Sequence, residues 1–148
     1  MGHENEIADK FNFFQSLRVR WAEVDAQGIV FNPHYLMYAD IGVTEYYRAI
    51  GMPYPDAFDT EKADLYTKKT QIEYHAPARY DDELRIYVRV SRLGRSSFDF
   101  DIKIVNDETL LASIQITYVN ANLEQGTSVP LDAGFKAACK RFEKVSPE

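Results

Sequence analysis

The stretch from Val24 to Gly51, VDAQGIVFNPHYLMYADIGVTEYYRAIG, constrains the fold more than any other part of the chain. A polar turn, Asp25-Ala26-Gln27-Gly28, leads into an apolar trio, Ile29-Val30-Phe31, and then into Asn32-Pro33. Asn is a favoured helix cap, and Pro at the first helical position gives up an N–H that would have no intrahelical partner. With Gly42 as the one interior breaker, the pattern predicts a helix from about Pro33 to Ile50, stopped by Gly51 and Pro53. Such a helix is roughly 25 Å long, enough to cross a small domain. Tyr35, Leu36, Met37, Tyr38, Ile41, Val43, Tyr46, Tyr47 and Ile50 leave it almost no polar face, so it should be wrapped by the rest of the chain.

The remaining segments supply the wrapping. Phe13 to Val24 alternates as a strand, with Leu17, Val19, Trp21 and Glu23 on one face and Arg18, Arg20 and Ala22 on the other. After a charged connector at 52–64, period-two segments recur over 66–74, 83–92, 98–105 and 110–119. Their apolar rows read Leu84, Ile86, Val88, Val90, then Phe98, Phe100, Ile102, Ile104, then Leu110, Ala112, Ile114, Ile116, Tyr118. The junctions at 93–97 and 106–108 are short, which predicts neighbouring antiparallel hairpins. Ala133 to Glu143 reads as a short final helix. Residues 1–10 read as a flexible N-terminal arm and 11–148 as a single domain. The layout is α+β, one long central helix wrapped by a curved antiparallel sheet of about five strands. Edge strands and outward rows that carry Tyr66, Tyr74, Tyr80, Tyr87 and Phe98 predict a homo-oligomer.

Charge and residue content narrow the chemistry. A formal charge of −6 over 148 residues argues against nucleic acid or an anionic membrane as partner. One cysteine, Cys139, permits no internal disulfide, no apolar run reaches membrane-spanning length, and the start is polar; a cytoplasmic protein is expected. His34, His75 and Cys139 are too scattered for a zinc set, there is no Gly-rich phosphate loop and no G-x-S-x-G, so neither metal nor cofactor is expected. His75 with the Ser96-Ser97 turn is the weak remaining route to a serine nucleophile.

Asp25, on a strand-to-helix turn, has two readings. A turn aspartate bonds its own backbone, and Asp25 then only shapes the Gln27-Gly28 turn. Alternatively, the unpaired N–H groups at the start of the following helix bind a developing oxyanion, and the nearby carboxylate attacks the carbonyl or activates water against it.

Asp25-x-x-Gly28-Ile29-Val30-Phe31-Asn32-Pro33-x-Tyr35 resembles the signature of the 4-hydroxybenzoyl-CoA thioesterase family of hot dog fold acyl-CoA thioesterases. Pro77-Ala78-x-x-Asp81-Asp82-x-Leu84 and Arg92-x-x-Arg95-Ser96-Ser97-Phe98 resemble that family's later landmarks in the same order, so the likeness covers Val19 to Val119. The resemblance implies a hot dog fold and an acyl-CoA thioester hydrolase that releases a carboxylic acid and free CoA. It implies Asp25 as catalytic carboxylate, nucleophile or general base, and Asn32 as the residue whose backbone N–H polarises the thioester carbonyl. Some members have His at the Asn32 position. Asp40 falls where hydroxybenzoyl-specific members set a carboxylate against the acyl ring's hydroxyl from the neighbouring subunit; the plainer alternative is a helix-surface carboxylate. Glu45 is expected to be a structural partner of an arginine. Arg92, Arg95, Ser96 and Ser97 would bind the phosphates of CoA, since Arg forks and hydroxyls suit phosphate oxygens, with Arg79 and Lys69 behind them. The expected assembly is a homo-oligomer, a dimer of dimers by preference, with dimer against tetramer left open. A non-catalytic acyl-CoA binding module on the same fold is the alternative, and a hydratase a third reading. The acyl group, and CoA against acyl-carrier protein as thiol carrier, stay open.

Overall fold

The computed structural model describes residues 3–55, 57–58 and 63–148. The elements run α1 (His3–Lys10), β1 (Phe13–Arg18), α2 (His34–Ala49), β2 (Asp64–Tyr74), β3 (Glu83–Leu93), β4 (Ser97–Asn106), β5 (Thr109–Asn122), β6 (Thr127–Ser128) and α3 (Ala133–Phe142). The strands form one antiparallel sheet in the order β1-β3-β4-β5-β2, with the two-residue β6 added beside β5. The sheet curls around α2, which is the hot dog arrangement. The part of the 52–64 connector at Asp56 and at 59–62 lies outside the described residues.

The alternation in the three central strands translates directly into the core. Leu84, Ile86, Val88 and Val90 of β3, Phe98, Phe100, Ile102 and Ile104 of β4, and Ala112 and Ile114 of β5 are all fully buried. Gly42 is what lets α2 lie close on β3, because a Cβ there would meet Ile86 Cγ2 at 2.7 Å and Val88 Cγ2 at 2.9 Å. The helix interior tolerates a glycine for this contact, despite a cost of about 1 kcal/mol against alanine.

Several expectations need correction. The helix is buried on one face rather than all round: Tyr35, Tyr38, Ala39, Gly42, Val43, Tyr46 and Tyr47 are inside, while Leu36 and Asp40 are exposed. The first strand stops at Arg18, and Trp21–Glu23 turn as a 3-10 helix, which throws Trp21 outward and Glu23 inward. The last inward row breaks at Leu110. A register shift between Ile104 and Val105 pairs Val105 with Leu110, on the opposite face, and hands the main core to Leu111. Phe98 and Tyr87, read as outward, are both buried.

The expected flexible arm is the largest departure. Residues 3–10 form α1, which lies on the outer face of the sheet. Ile7 and Phe11, one helical turn apart, pack against Tyr87 and Val105, and Glu4 accepts hydrogen bonds from the Arg85 guanidinium and the Tyr87 hydroxyl. The segment looks polar because its buried surface is one narrow i, i+4 stripe.

Candidate active site

The 3-10 turn after β1 begins the site. Val19 is stapled to the 81–82 turn, its N–H donating to Asp82 O at 2.9 Å and its carbonyl accepting from Asp81 N–H at 3.1 Å. Glu23, 4 % exposed, then turns its carboxylate inward. Its Oε1 accepts from Arg20 N–H at 2.9 Å and from the Tyr38 hydroxyl of α2 at 2.8 Å, and its Oε2 accepts from Arg20 Nε at 2.7 Å. Burial alone would push this carboxyl up; the Arg20 backbone, the Tyr38 hydroxyl and the Arg20 guanidinium together outweigh burial and hold it below the usual carboxylate range.

Residues 24–31 form a small hairpin closed by the Val24–Val30 bridge and by Asp25 N–H to Ile29 O at 2.9 Å. Gly28, with φ of +77°, supplies the left-handed residue that turns it. Asp25 Oδ1 accepts the Gln27 N–H at 2.8 Å, so the turn-shaping role is present in the structure. It engages one oxygen only: among the described residues Asp25 Oδ2 has no hydrogen-bond donor. The two roles are therefore compatible.

The hairpin delivers the chain to α2. Phe31 N–H donates to Glu23 O at 3.0 Å, His34 N–H to Phe31 O at 2.9 Å and Tyr35 N–H to Asn32 O at 3.2 Å. The cap position falls on Pro33, and the Asn32 side chain does not cap. What Asn32 offers instead is its backbone: its N–H has no acceptor among the described residues, and Pro33 behind it has no N–H at all. This donor borders an open cleft of about 320 Å³ between the start of α2 and the end of β2, lined by Ile29, Val30, Asn32, Tyr35, Tyr74, His75, Ala76 and Pro77. Tyr35 braces its floor, its hydroxyl accepting from Ala78 N–H at 3.0 Å, and burial pushes that phenol up. Asp25 is not a wall of this cleft; the Ile29–Val30 arm of its own hairpin is.

The other expected site residues lie elsewhere. Asp40 is eight positions beyond Asn32, about 12 Å along the helix. It borders a second cavity of about 180 Å³ with Thr44, Tyr47, Tyr54, Leu65, Thr67 and Tyr118. The turn with Arg92, Arg95, Ser96 and Ser97 sits at the far end of β3, and the 11 residues of that strand span about 35 Å. A single chain does not bring Asp25 and Arg95 together. Arg92 is committed within the fold: its Nε donates to Asp99 at 2.8 Å, and its Nη2 donates to Asp99 at 3.1 Å and to Ser97 Oγ at 2.9 Å. Arg95 is exposed, and its guanidinium has no partner among the described residues. His75 is likewise far from Ser96 and Ser97; its Nε2 lies 3.0 Å from Ser113 Oγ. Glu45 pairs with Arg48, as expected of a structural partner. Among the described residues no three His, Cys, Asp or Glu side chains group as a metal set, and no helix is long and apolar enough to cross a membrane.

Glu23 and Tyr38 are the residues that pattern reading missed. Strict alternation put Glu23 on a strand face; the usable signal was an acidic residue three after Arg20 and two before Asp25.

A profile of the thioesterase-like superfamily matches residues 19–139. The acyl-CoA thioester hydrolase YbgC of Escherichia coli O157:H7 is 32 % identical over 104 residues, covering 70 % of this chain and 77 % of that one. The acyl-CoA thioesterase YbgC of Haemophilus influenzae is 23 % identical over 122 residues, covering 82 % and 90 %. The crystal structure of a 1,4-dihydroxy-2-naphthoyl-CoA thioesterase from Synechocystis shares the fold, with a TM-score of 0.80 at 20 % identity, over 86 % of this chain and 94 % of that one.

Proposed function

The chain belongs to the thioesterase-like superfamily, and from that premise we propose that it hydrolyses acyl-CoA thioesters with Asp25 as the carboxylate and the Asn32 N–H as the oxyanion donor. The observation that carries this reading is the Asn32 N–H at the start of α2, which has no acceptor among the described residues, one hairpin away from a carboxylate whose Oδ2 has no donor among them. The donor and the positive end of the helix favour negative charge at the thioester oxygen.

Two routes use the same groups. In one, Asp25 attacks the thioester carbon, the C–S bond breaks, and the CoA thiolate takes a proton; water then opens the mixed anhydride and restores Asp25. In the other, Asp25 takes a proton from a water that attacks the carbon directly. Either way thioester and water become carboxylic acid and free thiol.

A homodimer reconciles the scattered residues. β2 is a long, largely exposed edge strand of 11 residues, and two copies pairing antiparallel along it would complete the sheet. That two-fold pairing sets the end of one β2, beside Asp25 and Asn32, next to the start of the other, beside Asp40 and the Arg95–Ser97 turn. The phosphates of CoA then meet Arg95, Ser96 and Ser97 of the second copy. Arg92 serves by holding that turn, and Asp40 faces the acyl end. Two such dimers form the tetramer; exposed Trp21 and Tyr80 supply apolar surface for it. The buried, unpaired Cys139 fits a reducing cytoplasm.

A thiol-release assay over acyl-CoAs, short to long and aliphatic to aryl, tests the reading. Turnover of at least one member by wild type is expected, with Arg95→Ala raising KM and sparing kcat. Tight acyl-CoA binding without thiol release across the panel would mark a binding module instead.

A further inference from the structure

Glu23 stands between the two reactive groups. It is two residues before Asp25, and its carbonyl accepts the N–H of Phe31, the residue before Asn32, at 3.0 Å. Any displacement of Glu23 therefore moves both arms of the hairpin. Its side chain is fixed in turn to the helix that carries the oxyanion donor, because Tyr38, fully buried, donates its hydroxyl to Oε1 at 2.8 Å. Arg20 closes the arrangement from the solvent side, with Nη2 2.6 Å from Oε2 and a guanidinium that is itself exposed. The carboxylate thus has three hydrogen-bond donors from two elements, with Arg20 Nη2 in ion-pair contact beside them, and borders neither the cleft nor the Asp40 cavity.

We propose that Glu23 is a positioning residue for thioester hydrolysis, setting the distance between the Asp25 carboxylate and the Asn32 N–H by locking their hairpin to Tyr38 of α2. The claim rests on the Asp25 and Asn32 reading above. It differs from a general stabilising role because the two positioned groups act on the transition state. A misplacement of about 1 Å between reacting groups costs on the order of 10² in rate. Substrate contacts, which Glu23 does not make, stay as they are.

The test compares wild type, Glu23→Gln, Tyr38→Phe and Asp25→Asn on the best acyl-CoA from the panel at 25 °C. Each variant is checked by a cooperative melt and by binding of free CoA. Gln keeps an acceptor for Tyr38 but turns an amide toward Arg20, so kcat in Glu23→Gln should fall on the order of 10- to 100-fold. KM should stay within about two-fold, the signature of an interaction made for the transition state. Tyr38→Phe should lower kcat in the same direction by less, with unchanged CoA binding; it decides the matter should Glu23→Gln fail to fold. An inactive Asp25→Asn beside wild-type kcat in folded Glu23→Gln and Tyr38→Phe overturns the positioning claim alone. A loss confined to KM or to melting temperature also overturns it. Full activity in Asp25→Asn overturns the Asp25 reading and this claim with it.

Discussion

Two tyrosines of α2, Tyr38 and Tyr46, each donate a hydroxyl to a buried glutamate, and the two glutamates are held in opposite ways. Glu23, near the start of the helix, has every carboxylate contact satisfied and a guanidinium against it. Glu143, at the end of α3, accepts from the Tyr46 hydroxyl at 2.5 Å and from Val90 N–H at 2.9 Å, while its Oε1 has no partner in the described structure. Burial pushes the Glu143 carboxyl up, and the bonds from Tyr46 and Val90 do not offset it. The Glu23 carboxyl is held down. The same donor on the same helix thus serves two purposes. At the Asp25 end a carboxylate held down by its donors fixes a loop in place; at the far end a carboxyl pushed up by burial closes α3 onto β3.

The largest expected effect separates the two by removal. Glu23→Ala strands the Tyr38 hydroxyl and frees Arg20, and should cost about 3 kcal/mol. For a chain of this size that is a fall of about 10 °C in melting temperature. Glu143→Gln keeps acceptors for Tyr46 and Val90, and should change stability at pH 7 by less than about 1 kcal/mol. Equal losses from the two substitutions would break the comparison.

pH sharpens it next. The folded-state value of Glu23 is depressed, so its contribution is present above the unfolded carboxyl value and is lost as pH falls through the folded value. That of Glu143 is raised, so its contribution is present below the unfolded value and is lost as pH rises through the folded one. Chemical denaturation stepped upward from about pH 4.5 should show the Glu143 loss in wild type and not in Glu143→Gln. An unchanged slope in that variant would remove Glu143 from the account. The hydroxyls separate the two ends by activity: Tyr38→Phe and Tyr46→Phe should each cost about 1 kcal/mol, but only the first should lower kcat.

Much of this architecture was legible because alternation is a strong signal where both neighbours are strands. The inward rows of β3 and β4 follow from Ile86, Val88, Phe100 and Ile102 alone. Short-range geometry failed where one residue changed the phase. The 3-10 turn at Trp21 put Glu23 inside, and the shift after Ile104 put Leu110 under α1. At the proposed site, the Asp25 turn and the helix start at Asn32 were legible as geometry because both depend on local backbone. The Arg92–Ser97 turn was not, because residue types do not reveal that Asp99 already holds Arg92, nor that β3 separates the turn from Asp25. The polar N-terminal stretch hid α1 because, among the described residues, Ile7 and Phe11 are its buried apolar contacts.

Whether Asp25 is the catalytic carboxylate is decided by Asp25→Asn, through single-turnover hydrolysis of the best acyl-CoA together with CoA binding. Asn still accepts the Gln27 N–H, so the hairpin should hold and binding should be unchanged. Loss of the carboxylate should lower kcat on the order of 10²–10⁴. Hydrolysis at the wild-type rate by a folded, CoA-binding Asp25→Asn would contradict the account.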